Sequence, residues 1–404
     1  MSMVNEGINH HNRERTVQFI YRHPHATRTE IYKGTGMTPA TVSQTVAQLI
    51  TENMVVETGQ EVSGTGSGRK QKVIELNQNF GYCIGVDFSL SGMATFVCDI
   101  LGNPLSSNLT PYEQVQNQDI NGLIAEKINS IVKNYPHHKF LGVGVAIPGH
   151  YDGEHQTIIS NNPMWNTFDL SKIRLAISLP ILAENNIESM ALARFLFDSA
   201  NTPDKFLFLH SGYGLYAAFI EPNSLHPKRN YYIGEIGHTV VNPDGFQCEC
   251  GKRGCLQTYI SETWILKKAR LLYRNSNTTV LRSLVADPTK INLDTVLAAY
   301  DLGDSFITQS LNQAVRYLGI SVANLLMMCD ADAIYLNSRI LQKPEFHQQI
   351  SETISTQLTF IPTKKNTTVA ILPYQETAAA RGACALVALA KVVQNSAYAD
   401  IMLP

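Results

Sequence analysis

One histidine and three cysteines, His238, Cys248, Cys250 and Cys255, fall within a single short stretch, GEIGHTVVNPDGFQCECGKRGCLQ, from Gly234 to Gln257. Three soft thiolates and one imidazole suit a closed tetrahedral zinc site, because they saturate the ion and leave no position for water. Glycines at 245, 251 and 254 supply the tight turns such a loop needs. Disulfides or unpaired core cysteines are the alternative, but Cys-x-Cys spacing is poor for a disulfide. A site of this kind is structural, so it names no function by itself.

The elements that would position this loop belong to a long chain. At 404 residues, two or three domains are expected, and a hydrophobic content of 44% is ample for real cores. The net charge of −2 creates no global field toward nucleic acid or anionic membrane. Cys83, Cys98, Cys329 and Cys384 stand apart from the cluster. There is no secretory h-region and no apolar run long enough to span a bilayer, so a reducing cytoplasm is expected.

The N-terminal segment has the order of a winged helix-turn-helix. Arg13 to Tyr21 reads as a helix interrupted by Pro24, and Thr27-Arg-Thr-Glu30 forms a capping box for a second. Thr38, with Pro39 at the first helical position, starts a third, in which Val42, Val46, Leu49 and Ile50 make the inward stripe. Its opposite face carries Thr41, Ser43, Gln44 and Gln48, short or uncharged hydrogen-bonding groups fit to meet base edges in a major groove. Two strands then flank Ser63-Gly-Thr-Gly-Ser-Gly-Arg-Lys70, a wing whose Arg69 and Lys70 would reach a minor groove or phosphates. A phosphate-binding loop is disfavoured there, since no helix follows and the Walker spacing is missing. A small helical interaction domain is the plain alternative: residues 1–72 hold eight Lys/Arg against six Asp/Glu, so charge supports DNA binding only faintly. The argument rests on the order of elements.

The rest alternates strands and helices in two successive α/β units, with helices filling most of 262–328 and a final helix over 378–393. Here the chain resembles the ROK family (repressors, open reading frames, kinases), specifically its regulator branch, which includes repressors responsive to xylose, N-acetylglucosamine and glucose. Gly-Glu235-Ile-Gly-His238 followed by Cys-x-Cys-Gly-x-x-Gly-Cys carries the resemblance, supported by Gly-Val-Gly-Val-Ala-Ile-Pro-Gly149, Leu179-Pro-Ile-Leu-Ala-Glu-Asn-Asn186 and Ala380-Arg-Gly-Ala383. It implies an α/β fold in which the winged helix-turn-helix, residues 1–78, precedes a two-lobed actin/hexokinase-like (ribonuclease H-like) body. Lobe I would take residues 79–195 with 386–404, and lobe II, with the zinc loop, residues 196–385.

The resemblance also implies a sugar site. Asn185, Glu235 and His238 match the family's sugar-contacting residues, with Gly149 and Asn162 alongside. The catalytic aspartate position holds Asn186, and a second glutamate position holds Gln257. An amide cannot accept the proton of an attacking sugar hydroxyl, so kinase chemistry loses its base. Asn185 and Asn186 also have a plain reading as a helix N-cap. The nucleotide loops are altered as well: Asp87-Phe-Ser-Leu-Ser-Gly92, Ser211-Gly-Tyr-Gly-Leu-Tyr216 and Asn337-Ser338 replace glycine-rich stretches. The expectation is therefore a non-enzymatic repressor that binds an inverted-repeat operator as a dimer or tetramer. Its effector would be a sugar or sugar phosphate. The alternatives are a sugar kinase with an accessory domain, or a regulator answering to a protein partner such as a sugar-transport domain.

Overall fold

The computed structural model describes residues 2–62, 70–89, 91–116, 118–152, 157–159, 165, 167–221, 230–361 and 367–394. Arg69 and Asn162, and most of the expected wing tip, lie outside them. The chain divides into two compact units, one of residues 1–202 and 375–404, the other of 203–374.

The first unit begins with helices α1 (Ser2–Arg22), α2 (Arg28–Thr35) and α3 (Pro39–Thr51). The capping box forms as expected: Thr27 Oγ1 accepts from the Glu30 amide, and the Glu30 carboxylate accepts from the Thr27 amide at 2.8 Å. Gly36 ends α2 in a left-handed conformation, and Thr38 caps α3 through the Thr41 amide. Val42, Val46 and Leu49 are buried, while Ser43, Gln44 and Gln48 are exposed. Strands β1 (Ala26–Thr27), β2 (Val55–Val62) and β3 (Gln71–Leu76) form an antiparallel sheet in the order β1-β3-β2, the expected three-helix-and-wing arrangement.

A five-stranded sheet follows in the order Ile181–Asn185, Phe140–Ile147, Tyr82–Ser89, Gly92–Asp99, Pro104–Pro111. The first three strands are parallel and the last two antiparallel. Ile84, Val86, Val143 and Val145 enter one core with the helix Ile120–Asn134. The other face takes the helix Ala378–Ala388, whose small side chains let it lie almost on the strands. A Cβ on Gly85 would sit 1.8 Å from the Ala380 carbonyl oxygen, and one on Gly144 would sit 2.0 Å from that of Ala383. This close packing fixes the helix in the first unit. The expected boundaries at 195/196 and 385/386 are therefore replaced by crossings at 202/203 and 374/375, since a cut at 385 would divide a helix that packs as one body.

The second unit has a sheet in the order Leu215–Ile220, Phe206–Ser211, Ala333–Ser338, Thr368–Leu372, with only the first pair antiparallel. Helices Glu262–Asn275, Leu293–Asp301, Ser305–Met328 and Pro344–Leu358 share its core, in which Ile334, Leu336, Val315, Leu318 and Phe346 are fully buried. Among the described residues no helix is long and apolar enough to cross a membrane.

Candidate functional site

The Gly234–Gln257 stretch folds as a narrow looped ribbon in the second unit. Val240 bridges Cys255 and Gln247 bridges Arg253, and the Leu256 amide donates to the Thr239 carbonyl at 2.8 Å. Glycine is obligatory at the ribbon's tight corner. Gly254 has φ +67°, and a Cβ there would lie 1.5 Å from the Asn242 carbonyl oxygen. At Gly251, φ is +89°, and its amide turns back to the Cys248 carbonyl at 3.0 Å.

This ribbon brings His238, Cys248, Cys250 and Cys255 together, with their ligand atoms all within 4.8 Å of one another. Cys248 Sγ lies 3.7 Å from His238 Nδ1, and Cys250 Sγ lies 3.6 Å from Cys255 Sγ. Those separations are close to the tetrahedron edge of about 3.8 Å that follows from metal–sulfur bonds of ~2.3 Å. Cys248 and Cys255 are buried, and burial together with the thiols of Cys250 and Cys248 pushes Cys255 up to about 12. Crowded thiolates of this kind need a cation to form at neutral pH. The four residues fit a metal ion by position and by donor chemistry.

His238 uses its two ring nitrogens differently. Nδ1 faces the thiols, whereas Nε2 lies 3.9 Å from Glu235 Oε2. Behind the cluster, Glu249 Oε2 accepts from the Trp264 indole at 3.0 Å, tying the Cys-x-Cys segment to the helix Glu262–Asn275. Glu249 and Trp264 were absent from the sequence reading, because nothing local links a loop glutamate to an indole fifteen residues on.

In the first unit Asn185 caps the helix Asn186–Leu196. Its Oδ1 accepts from the amides of Ile187 and Glu188 at 2.8 and 3.1 Å, and its Nδ2 donates to the Gly149 carbonyl at 2.8 Å. The N-cap reading thus holds, and the cap also joins Gly149 to the helix start. The Oδ1 of Asn186 is buried and has no hydrogen-bond partner among the described residues.

Two of the three altered nucleotide loops make hydrogen bonds within the chain. The Gly212 amide donates to the Gly214 carbonyl at 3.1 Å, and Ser211 Oγ donates to the Ile260 carbonyl at 3.3 Å. Asn337 Oδ1 is bonded to His210 Nδ1 at 2.8 Å. On the first unit, Asp87 is 5% exposed and its Oδ1 has no hydrogen-bond partner among the described residues. Burial, reinforced by the charge of Glu376, raises its carboxyl to about 7.

On the N-terminal module, Ser43, Gln44, Gln48 and Lys70 are exposed. Thr41 is half-buried, its hydroxyl 2.8 Å from that of Thr38, and Gln48 Nε2 donates to Glu52 at 3.0 Å.

Comparisons with known proteins agree with this geometry. The xylose repressor of Bacillus subtilis strain 168 is 25% identical over 334 residues, covering 82% of this chain and 83% of the repressor. The crystal structure of a ROK family transcriptional regulator, a homolog of the E. coli MLC protein, superposes with a TM-score of 0.74 at 20% identity and covers 98% of both chains. The ROK hexokinase of Thermus thermophilus superposes with a TM-score of 0.62 at 20% identity; it covers 77% of this chain and 99% of its own. The ROK family model itself matches residues 83–390. Fold, metal-loop signature and family match agree, and the chain belongs to the ROK family.

Proposed function

We propose that the chain is a sugar-responsive transcriptional repressor of the cytoplasm in which residues 1–78 read DNA and the ROK body senses the effector. One observation carries this reading: three helices and an antiparallel β1-β3-β2 sheet precede a ROK body in which the altered loops at 211–216 and 337–338 make hydrogen bonds within the chain. The xylose repressor supports it as a relative, and the hexokinase matches the body without the remaining quarter or so of the chain. Ser43, Gln44, Gln48 and Thr41 would meet base edges, with Arg69 and Lys70 on phosphates or in the minor groove. A two-fold dimer, or a tetramer built from it, would read an inverted repeat. Gly149, Asn162, Asn185, Asn186, Glu235, His238 and Gln257 are the candidate effector residues. The orphaned Oδ1 of Asn186 offers an acceptor for a sugar hydroxyl. Zinc would suit this donor set in a structural role, held in part by His238 Nδ1, which would leave Nε2 for the ligand side.

The test is footprinting of the full-length protein on the promoter of its own gene cluster at moderate salt. Protection of two half-sites about one helical turn apart is expected, relieved by one sugar or sugar phosphate from a panel; binding no tighter than to random duplex rejects the reading. The same panel assayed with ATP for phosphoryl transfer addresses the kinase alternative, and no turnover is expected because Asn186 cannot act as a base. Calorimetry with no heat from any sugar would shift the input to a protein partner such as a sugar-transport domain.

A further inference from the structure

Gln257 stands where the family's kinases place a sugar-binding glutamate, yet its side chain is engaged with the metal loop. Its Nε2 lies 3.6 Å from Cys248 Sγ, within donor distance for sulfur. Its Oε1 lies near the Glu235–His238 turn, where a Cβ built on Gly237 would come within 3.2 Å of it. The amide therefore spans two metal-ligand segments, the histidine turn on one side and the Cys-x-Cys segment on the other.

The residue type fits the neighbour. Three thiolates around one dication leave the site with a net negative charge, and an N–H donor aimed at a sulfur draws off part of it. A neutral amide can donate in this way. A carboxylate in the same place has no proton to give and would set a second negative charge beside the sulfur.

We infer that Gln257 is a positioning residue for the metal, donating an N–H···S hydrogen bond to the Cys248 thiolate while bracing the His238 turn. Any contact it makes with the effector comes in addition to this role. The inference rests on the metal reading, and the experiment separates the two.

Full-length protein is loaded with Zn²⁺ and titrated against a chromophoric chelator, and in parallel loaded with Co²⁺ to read the thiolate-to-metal charge-transfer bands. The variants are Gln257→Glu, Gln257→Met, which keeps the length without a donor, and Cys250→Ser as a ligand-loss control. The expected result is a metal affinity ~10–100-fold weaker for Gln257→Glu, the range typical of outer-sphere partners. Gln257→Met should weaken it in the same direction but less, and both should move the charge-transfer band to lower energy. Wild-type affinity and an unshifted band in both Gln257 variants, with Cys250→Ser still losing thiolate intensity, would overturn the role of Gln257 and leave the metal centre standing. A wild type that binds no Co²⁺ with thiolate character would overturn both. Gln257→Met introduces no charge, so it decides the matter even if the glutamate variant fails to fold.

Discussion

Asp87 illustrates what a residue keeps after its surroundings have changed. It lies in the strand Tyr82–Ser89, at a position where the family resemblance implies a phosphate loop in kinases, and it is 5% exposed. Burial, with Glu376 adding to it, raises the folded-state value to about 7, above the ordinary carboxylate range. An acid raised in this way binds its proton more tightly in the native than in the unfolded state. Stability therefore falls as pH rises from about 4 to about 7 and stays at the lower level beyond, by at most ~4 kcal/mol at 1.36 kcal/mol per unit. Asp87→Asn removes the charge and keeps the shape. The variant should match the wild type near pH 4.5 and exceed it at pH 8, with a gap of about 1–3 kcal/mol after local relaxation, measured as denaturant midpoints at the two pH values. A gap that is the same at both would mean that Asp87 is ionised without penalty.

At the scale of elements, the sequence was most legible where the signal is local. The Thr27 capping box, the Thr38 cap with Pro39 and the helix at 120–134 all appear where their residues put them, because caps and short apolar stripes act within one turn. Two helices start earlier than their strongest apolar stripes. The first helix begins at Ser2 rather than Arg13, and the long helix of the second unit begins at Ser305. The early part of the first helix is polar in sequence, whereas the second has both a readable cap, Asp304, whose Oδ1 accepts from the amides of Phe306 and Ile307, and a stripe that already includes the buried Ile307 and Leu311. The side taken by helix 378–388 was not legible, since a run of alanines and glycines has no preferred face. At the site, the four metal ligands were legible from type and spacing, whereas the Gln257–Cys248 contact needed three dimensions.

The wing offers a test at this same scale. Glu57 on β2 holds Lys72 at 2.6 Å and Arg28 at 2.7 Å, and these hydrogen bonds, that of Lys72 first, keep its carboxyl below the usual range. Such partly exposed pairs add little stability, so their loss costs under about 1 kcal/mol. Glu57→Gln should release both cations toward phosphates. Non-specific duplex binding should strengthen several-fold at low salt, and the slope of log K against log salt should steepen by up to ~2 per module. Fluorescence anisotropy on random duplex across a salt series would show it, and weaker binding with an unchanged slope would make Glu57 a determinant of wing geometry instead.

At the scale of the whole molecule, the DNA-binding module is built into the first unit. Tyr21 donates to the Ile100 carbonyl at 2.6 Å, Arg22 to that of Phe195 at 3.2 Å, and Ser199 donates back to the Tyr21 carbonyl at 2.6 Å. Arg13 is 6% exposed and joins three places: the Val392 carbonyl at 3.0 Å, the Glu52 carboxylate at 3.3 Å and the sulfur of Met54. It thus links α1 both to the segment that caps α3 and to the turn after helix 378–388. The four residues that could hold a metal all lie in the second unit. Two independent handles follow, and scanning calorimetry of the full chain can pull them separately. Arg13→Met should lower the transition of the first unit, module included, by about 4–8 °C, given ~2 kcal/mol for the lost charge-assisted bonds and ~2–4 °C per kcal/mol at this size. Removing the metal with a chelator should lower the transition of the second unit and leave the first in place. If Arg13→Met instead splits off a new low-temperature transition, with the larger one unmoved, the module unfolds on its own and α1 is a tether rather than a shared wall. If either handle moves both transitions equally, the two units unfold as one cooperative body, and loss of metal would then reach the recognition helix through global stability alone.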